Sequence, residues 1–398
     1  RFISGWQRLI VLYFHPMNKH ENFLKWVEVS RSAITHNLNE FRRIISPDTA
    51  LMAVVKSNAY GHGLLEVAQI AVDAGCDWLG VNELDEALQL RDGGHLLPIL
   101  ILGAVPPSRM EEGARDGLRA VVYTAEQVAA WNDAGRATSK VVPLHIKLET
   151  GLNRQGVPFD ELLLLARTID QCQWVKLEGM STHFANIEDT TDHSYANTQI
   201  ARFEEGLALL AKEGCRPPVA HCACSAAALV VPKTSFDLVR VGIGMYGLWP
   251  SKETQLSVYI NDEIEKVSLK PALTWKTRIA QVKKVAKGSP IGYGCTERAT
   301  HDLKLAILPV GYFDGLDRGL SNQGQVIIKG QRAYIRGRVC MNMTMVDVTH
   351  IDGAKALDEV ILLGKDNDES VSAEFVASQI STINYEVVTR IGAHLPRI

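Results

Sequence analysis

The first two-thirds of this sequence alternates eight times between a short run rich in Val, Ile and Leu and a longer stretch with helical periodicity. The short runs are AVVK (53–56), WLGV (78–81), PILILGA (98–104), RAVVY (119–123), VPLHIKLE (142–149), VKLEGMSTHF (175–184), PVAHCACS (218–225) and DLVRVGIGMYGL (237–248). Short apolar runs are typical of buried strands, and several intervening stretches end in Gly, a common helix stop. Eight such units predict an α/β fold, a (β/α)8 TIM barrel. An open doubly wound sheet remains an alternative, although such sheets more often have about five or six strands.

The alternation of strands and helices stops after about residue 262. From there, strand-like runs such as LKLAILPVGY and QVIIKGQRAYIRG follow one another without long helices between them. Gly-rich turns link these runs, and a single late helix, SAEFVASQISTIN, follows. This pattern predicts a second, mainly β domain at the C-terminal end. We therefore divide the chain into a leader or N-terminal extension (1–23), a barrel (24–262) and a mainly β C-terminal domain (263–398).

Charge and cysteine content narrow the class of protein. The net charge of −3 gives no overall attraction to nucleic acid or to an anionic membrane. The apolar run from Leu9 to Phe14 is far shorter than the ~20 residues of a membrane span. Seven cysteines at irregular spacing favour reduced thiols, and Cys222-x-Cys224 lacks the spacing of a zinc site. We expect a cytoplasmic protein with no metal, nucleic-acid or membrane partner.

Polar residues stand where the predicted barrel strands end, the edge at which barrels carry out chemistry. They are Lys56, Arg154, His183, Ser225 and Arg240, and the backbone amides of Gly242 and Ile243 add polar groups at the same edge. Barrels often bind phosphate after strands 7 and 8, which suits Ser225 and the amides of Gly242 and Ile243. A lysine facing a phosphate site indicates pyridoxal phosphate, because the amine condenses with its aldehyde. Each feature alone is commonly structural: a lysine at a strand end is usually solvated, and a lone histidine usually packs in the core.

Longer motifs carry a family resemblance. They are AVVKSNAYGHG, TGLNR, STHFA, HCACSAAA, RVGIGMYG, IGYGCTERAT, VGYFDG, GRVCMN and INYE, in this order. From about residue 24 to its end, the sequence resembles the alanine racemases, which are fold-type III pyridoxal-phosphate enzymes. The resemblance implies a homodimer whose active sites are shared between subunits, and a role in supplying D-alanine for peptidoglycan.

The resemblance also implies two proton-transfer residues. Lys56 would carry the cofactor and take the α-proton of the D-enantiomer, and Tyr293, from the other subunit, would act on the L-enantiomer. Racemisation removes a proton from one face of Cα and returns one to the other face, so two bases on opposite faces are needed. Positive charge from Arg154 would favour the phenolate of this tyrosine.

Other positions receive supporting roles from the same resemblance. They are Tyr60, Ser225, Gly242, Ile243 and Tyr385 at the cofactor phosphate, His183 and Arg240 at its ring, Arg154 and the main chain of Met341 at the substrate, and Lys147 and Tyr312 as supporting residues. Lys147 matches a position where many members carry a carbamylated lysine that braces the arginine, and Tyr312 would line the access path. Arg240 would donate a hydrogen bond to the ring nitrogen, where many pyridoxal-phosphate enzymes place a carboxylate.

The sequence departs from the family pattern near two of these positions. Asn342 and Met343 follow Met341, where Asp and Gln are common, and this opens the substrate to serine or another small amino acid. Cys224 replaces an asparagine before the phosphate-binding serine, which predicts weaker cofactor binding. Three other readings remain: a fold-type III decarboxylase, which typically places a cysteine opposite the lysine; a non-catalytic pyridoxal-phosphate barrel, which lacks the second domain; and an unrelated barrel.

Overall fold

The structure is a computed structural model that describes residues 22–262 and 265–398. Its strands are β1 (Lys25–Val29), β2 (Ala50–Val54), β3 (Trp78–Val81), β4 (Ile99–Ile101), β5 (Arg119–Val122), β6 (Val142–Lys147), β7 (Val175–Ser181), β8 (Val219–His221), β9 (Leu238–Val241), β10 (Leu273–Arg278), β11 (Gln281–Val285), β12 (Pro290–Ile291), β13 (Glu297–Arg298), β14 (Leu303–Leu308), β15 (Gln325–Ile328), β16 (Gln331–Tyr334), β17 (Thr344–Asp347), β18 (Glu359–Asp366) and β19 (Glu369–Val371). Its helices are α1 (Arg31–Ile44), α2 (Lys56–Tyr60), α3 (Leu64–Asp73), α4 (Leu84–Asp92), α5 (Met110–Arg115), α6 (Ala125–Thr138), α7 (Leu162–Asp170), α8 (Ser194–Lys212), α9 (Ser225–Val230), α10 (Lys252–Ile260), α11 (Ala373–Gln379) and α12 (Asn384–Thr389). None of these helices is long and apolar enough to cross a membrane.

The eight predicted strands form one parallel sheet in the order β8-β7-β6-β5-β4-β3-β2-β9. The sheet closes where the amides of Asp237 and Arg240 donate to the carbonyls of Ala220 and Ala223, at 3.0 and 3.1 Å. Helices cover the outside, so the strands are buried on both faces, as the unbroken burial of β4 and β9 shows. The prediction of a (β/α)8 barrel is confirmed.

A mainly β domain follows, as predicted. It contains an antiparallel six-stranded sheet ordered β1-β10-β18-β15-β16, with β19 on β18, and a three-stranded sheet ordered β11-β14-β17. The first described strand, β1, belongs to this domain, because it pairs antiparallel with β10. The boundaries at residues 23 and 262 stay predictions, and all but two residues of the predicted N-terminal extension lie outside the described residues.

The chain segment that follows β2 differs from the sequence expectation. The sequence places Lys56 on a strand, whereas β2 ends at Val54 and Lys56 opens α2, a single left-handed turn. Ser57, Asn58, Ala59 and Tyr60 all have φ between 51° and 56°. L-residues seldom adopt this conformation, which costs about 1–2 kcal/mol per residue. The surrounding contacts must therefore stabilise the turn.

The β domain supplies several of those contacts. Arg397 donates from Nη2 to the carbonyl of Gly61 at 2.8 Å, just after the turn. Gly61 has φ 84°, and a Cβ there would stand 2.1 Å from the carbonyl oxygen of Val388 in α12. Inside the turn, the amide of Ala59 donates to the carbonyl of Val55 at 2.8 Å. The two domains together thus fix the backbone that carries Lys56.

Candidate active site

A cavity of about 740 Å³ opens at the carboxyl ends of the barrel strands. Ten of the residues predicted from the sequence line it: Lys56, Tyr60, Lys147, Arg154, His183, Ser225, Arg240, Gly242, Ile243 and Tyr385. They come from seven different segments of the chain, and each lies at or after the carboxyl end of a barrel strand or belongs to α12. The fold therefore brings most of the predicted site together within one chain.

The amine of Lys56 stands on one side of the cavity. Burial lowers its pKa first, and the nearby positive charge of Arg154 lowers it further, against an opposing effect of Glu86. Arg154 itself makes no side-chain hydrogen bond or ion pair with any other described residue, so its charge faces the cavity. A lowered pKa increases the neutral fraction of the Lys56 amine, the form that attacks a carbonyl and accepts a proton.

Lys147 provides a second perturbed amine. Burial, followed by the charges of Arg154 and Arg240, lowers its pKa to about 8. Its Nζ donates to Oε1 of Gln155 at 3.1 Å. A lysine with such a pKa is partly neutral near physiological pH, which is the form that reacts with carbon dioxide.

Opposite the lysines, Ser225 is arranged to donate a hydrogen bond. Its Oγ accepts from the amides of Gly242 and Gly244, at 3.0 and 3.2 Å. A serine hydroxyl has two acceptor lone pairs and one proton, so the proton is left for a group in the cavity. Ser225 begins α9 rather than ending a strand.

Three further donors surround Ser225. The hydroxyl groups of Tyr60 and Tyr385 and the amide of Ile243 belong to residues that line the same cavity. The amide of Gly242 is engaged by Ser225, so Gly242 contributes mainly space: a Cβ there would stand 2.6 Å from Oη of Tyr60. We call Tyr60, Ser225, Gly242, Ile243 and Tyr385 the phosphate cradle, because their donors suit an anion of that shape.

Arg240 crosses the floor of the cavity and is only 7% exposed. Its Nη2 donates to the carbonyls of Thr182 and Cys222, at 2.9 and 3.0 Å, and its Nη1 to the carbonyl of His221 at 2.8 Å. Among the described residues, no acceptor meets Nε. That nitrogen is the donor left for a ligand.

A row of buried side chains holds Arg240 from behind. Nη1 of Arg240 lies 2.7 Å from Nδ1 of His221, Nε2 of His221 lies 2.8 Å from Nδ1 of His145, and Nε2 of His145 lies 3.2 Å from Oε2 of Glu178. A guanidinium only donates, so Nδ1 of His221 must accept, and each following histidine must donate from Nε2. Burial lowers the pKa of both histidines, which keeps them neutral in this arrangement.

His183 lies beside Arg240, with Nδ1 at 3.5 Å from Nη2. Burial lowers its pKa well below the ordinary value, and the charges of Arg240, Arg154 and the two lysines add to this effect. His183 is therefore neutral near physiological pH and can accept a hydrogen bond.

The three remaining predicted residues do not reach this cavity. Tyr293, Tyr312 and Met341 lie on the surface of the β domain, and Tyr293 is 73% exposed. The amides of Tyr312 and Phe313 donate to the carbonyls of Cys340 and Met341, both at 3.0 Å. The neighbouring side chains of Phe313 and Met343 are also exposed. We call Tyr293, Tyr312, Phe313, Met341 and Met343 the Tyr293 face.

The sequence reasoning missed several residues that shape the cavity. Glu188 and His221 line it, and His145 and Glu178 stand behind Arg240. His145 and His221 are 76 positions apart, so no local spacing indicates their contact. Glu188 lies in the loop between β7 and α8, where an acidic residue normally indicates a solvated surface.

The fold and the site define a class: a (β/α)8 barrel with a half-buried lysine, an anion cradle and a β domain packed against the lysine's turn. Comparison with known proteins agrees with this class. Residues 29–250 match the family model of the alanine racemase N-terminal domain, and residues 272–398 match that of the C-terminal domain. The chain belongs to the alanine racemase family.

Individual relatives cover almost the whole chain. It is 38% identical to an alanine racemase of Leptospira interrogans over 95% of this chain and 96% of the relative. Among solved structures, the alanine racemase of Streptomyces lavendulae, a D-cycloserine producer, matches with a TM-score of 0.87 and 34% identity, over 94% of this chain and 96% of that one. A histidine racemase of Leuconostoc mesenteroides matches with a TM-score of 0.85 and 29% identity, over 95% of this chain and 98% of that one.

Proposed function

We propose that this chain is a pyridoxal-phosphate-dependent enzyme that interconverts L-alanine and D-alanine with two bases. The observation that carries the proposal is the lowered pKa of the Lys56 amine in a cavity whose other side is the phosphate cradle. Family membership, with alanine racemases among its relatives, supports alanine as the substrate.

The residues of the cavity fit this cofactor. The cradle supplies hydroxyl and amide donors for its phosphate, Nε of Arg240 suits its ring nitrogen, and Lys56 supplies the amine that its aldehyde needs. When bound, pyridoxal phosphate supplies an electron-withdrawing ring that makes the α-hydrogen of an attached amino acid acidic. An arginine at the ring nitrogen disfavours protonation of that nitrogen, so we expect weaker electron withdrawal and fewer side reactions.

Proton transfer is assigned to groups on two different chains. The neutral amine of Lys56 accepts and returns the proton on one face of the substrate. The family resemblance assigns the second base to Tyr293, which does not line the described cavity of its own chain. We therefore propose a homodimer in which Tyr293 of the partner subunit supplies that base, and Met341 of the partner subunit offers its amide to the substrate carboxylate beside Arg154. The exposed apolar side chains of the Tyr293 face support this pairing.

Two further roles complete the proposal. Lys147, with a pKa of about 8, becomes carbamylated and braces Arg154. The product D-alanine serves peptidoglycan synthesis in the cytoplasm. The likeness to a histidine racemase, together with Asn342 and Met343, makes a different amino-acid substrate the second candidate.

The first experiment tests cofactor and reaction together. The protein is loaded with pyridoxal phosphate, reduced with borohydride and digested, and mass spectrometry should find the cofactor on Lys56. Chiral chromatography then follows L-alanine, L-serine and L-histidine. Appearance of D-alanine faster than the other D-enantiomers supports the proposal. Release of carbon dioxide, or no D-enantiomer from any substrate, contradicts it.

A second experiment tests the shared site. Lys56→Ala and Tyr293→Phe chains are each inactive or weak alone, and they are mixed, unfolded and refolded together. In a symmetric dimer with shared sites, half of the dimers are mixed and each holds one intact site, so activity recovers to about a quarter of wild type. No recovery means that Lys56 and Tyr293 act within one chain or that Tyr293 has no such role.

A further inference from the structure

A carboxylate lies beside the phosphate cradle. Glu188 lines the cavity, and the hydroxyl of Tyr385 donates to its Oε2 at 3.1 Å. The thiol of Cys224 lies 3.9 Å from Oε1. A carboxylate is an unexpected neighbour for donors that suit an anion, because it carries the same sign of charge as a phosphate.

The main chain holds Glu188 in this position. Its carbonyl oxygen accepts from Oγ1 of Thr254 at 3.0 Å and from the hydroxyl of Ser251, both near the start of α10. The loop after β7 is therefore anchored on α10, while the side chain extends toward α12 and the start of α9. This arrangement is built into the fold rather than being a chance position of a surface side chain.

No cation neutralises the carboxylate within the described part of the chain, because Glu188 forms no ion pair there. Burial raises its pKa, and the exposed neighbour Asp189 raises it further, whereas the hydrogen bonds from Tyr385 and Cys224 lower it. Its charge in turn raises the pKa of Tyr60, Tyr385 and Cys224, after burial. The groups that face Glu188 are thus two phenols, a thiol and one acid.

The hydroxyl of Tyr385 cannot serve two anions. It has one proton, which goes to Glu188 in this structure, and a phosphate in the cradle would need the same proton. If Glu188 takes up a proton, its negative charge no longer repels the phosphate. The carboxylic acid also becomes a hydrogen-bond donor, so it no longer competes with the phosphate for the proton of Tyr385. A neutral Glu188 adds a donor to the cradle, whereas a charged one removes a donor from it.

We propose, building on the proposed cofactor, that Glu188 is a cofactor-binding residue that holds a proton whenever a phosphate ester occupies the cradle. Binding then transfers one proton from solvent to a carboxylate oxygen of Glu188, and release of the ester returns it. Affinity for the ester should be nearly constant at low pH and should fall by up to about tenfold per pH unit where the empty protein has Glu188 ionised.

The test uses pyridoxine 5′-phosphate, which has no aldehyde and so does not condense with Lys56. Titration calorimetry in two buffers of different ionisation heat gives the number of protons taken up, in wild type and in Glu188→Gln, across pH 6–9. The second ionisation of the phosphate, near pH ~6, is common to both proteins and cancels in the comparison. We expect wild type to take up as much as one proton more than Glu188→Gln, and the variant to bind more tightly than wild type at the alkaline end.

Two control variants separate charge from structure. Asp189→Asn removes the neighbouring exposed charge and should keep the proton uptake of wild type. Tyr385→Phe removes a donor, so it should weaken binding, and it should shift the proton uptake to higher pH because the hydrogen bond from Tyr385 lowers the pKa of Glu188. Infrared difference spectra of wild type should show a new carboxylic-acid C=O band on binding that Glu188→Gln lacks, which tests the proposal even if the variant is unstable.

The outcomes distinguish this inference from the proposed function. Equal proton counts in wild type and Glu188→Gln, or no carboxylic-acid band on binding, overturn the role of Glu188 while leaving the cofactor assignment intact. Failure of wild type to bind either pyridoxine 5′-phosphate or pyridoxal phosphate at any pH overturns both.

Discussion

Replacing Ser225 with alanine should lower both the stability of the folded protein and its affinity for the proposed cofactor. The hydroxyl accepts the amides of Gly242 and Gly244, and the substitution leaves both donors without an acceptor. An unsatisfied buried donor costs about 1–3 kcal/mol, so the two together lower the free energy of unfolding by roughly 2–6 kcal/mol. We expect the lower end, because Gly242 borders the cavity and water can reach its amide.

The same substitution removes the donor aimed at the phosphate. A hydrogen bond to a charged group contributes about 1.5–3 kcal/mol, which corresponds to about 10- to 150-fold weaker binding of the phosphate ester. Denaturant unfolding of the cofactor-free protein measures the first effect, and titration with pyridoxine 5′-phosphate measures the second. Both effects trace to one oxygen atom with three hydrogen-bonding roles.

Ser257→Ala provides a matched control. Ser257 is also buried, but its Oγ has no hydrogen-bond partner among the described residues. Its removal should change the free energy of unfolding by no more than about 0.5 kcal/mol, or stabilise the protein. The account of Ser225 is refuted if the two variants lose similar stability, or if Ser225→Ala binds the phosphate ester as tightly as wild type.

The remaining predictions concern the two bases and the turn. Tyr293→Phe should slow solvent deuterium exchange at Cα of L-alanine more than of D-alanine, and equal slowing of both would contradict its assignment to one face. Gly61→Ala should lower the free energy of unfolding by on the order of 2–4 kcal/mol, because its Cβ would overlap the carbonyl of Val388 at a φ of 84°. Gly75→Ala, at φ 83° with open space around it, should lower it by only about 1 kcal/mol. Similar losses in the two variants would show that the overlap at Gly61 is relieved elsewhere. Lys147 has a lowered pKa of about 8, so its neutral fraction rises with pH through that value. With labelled bicarbonate, a carbamate signal in carbon-13 NMR should therefore grow over the same pH range and be absent in Lys147→Ala. A signal that depends neither on pH nor on Lys147 would belong to another amine.

The barrel was predictable because parallel strands buried on both faces leave continuous apolar runs in the sequence. Once the strands were placed, their carboxyl ends identified Lys56, Ser225 and Arg240 as neighbours in space. The left-handed turn was not predictable, since Ser57 to Tyr60 contain no glycine to indicate a positive φ. Contacts from Arg397 and α12, which are distant in sequence, stabilise that conformation, and the local sequence does not indicate these contacts.

Other parts of the site depend on contacts that sequence spacing does not show. The row from Arg240 through His221 and His145 to Glu178 joins four different strands of the barrel. Glu188 could be recognised only when its loop was seen to turn into the cavity. Tyr293 was assigned by family resemblance, and a single chain leaves it on the surface.

The position of β1 has a consequence for how this chain is made. Val27 in β1 donates its amide to the carbonyl of Pro396 at 2.9 Å, and its carbonyl accepts from the amide of Ile398 at 3.0 Å. On its other edge, β1 pairs with β10, so one of the earliest described segments lies between partners from far later in the chain. During synthesis β1 therefore emerges from the ribosome long before either neighbour exists.

Such a strand has two open edges and an apolar face while the barrel is completed, and open edges are where chains associate wrongly. We infer that the barrel forms first and that β1, joined to it through α1, stays unpaired until β10 and residues 396–398 have been made. Arg397 also donates to the carbonyl of Gly61, just after the turn that carries Lys56, so the segment that pairs with β1 also helps to position the Lys56 amine. A nascent chain would thus have the strands of the barrel before it has a positioned lysine.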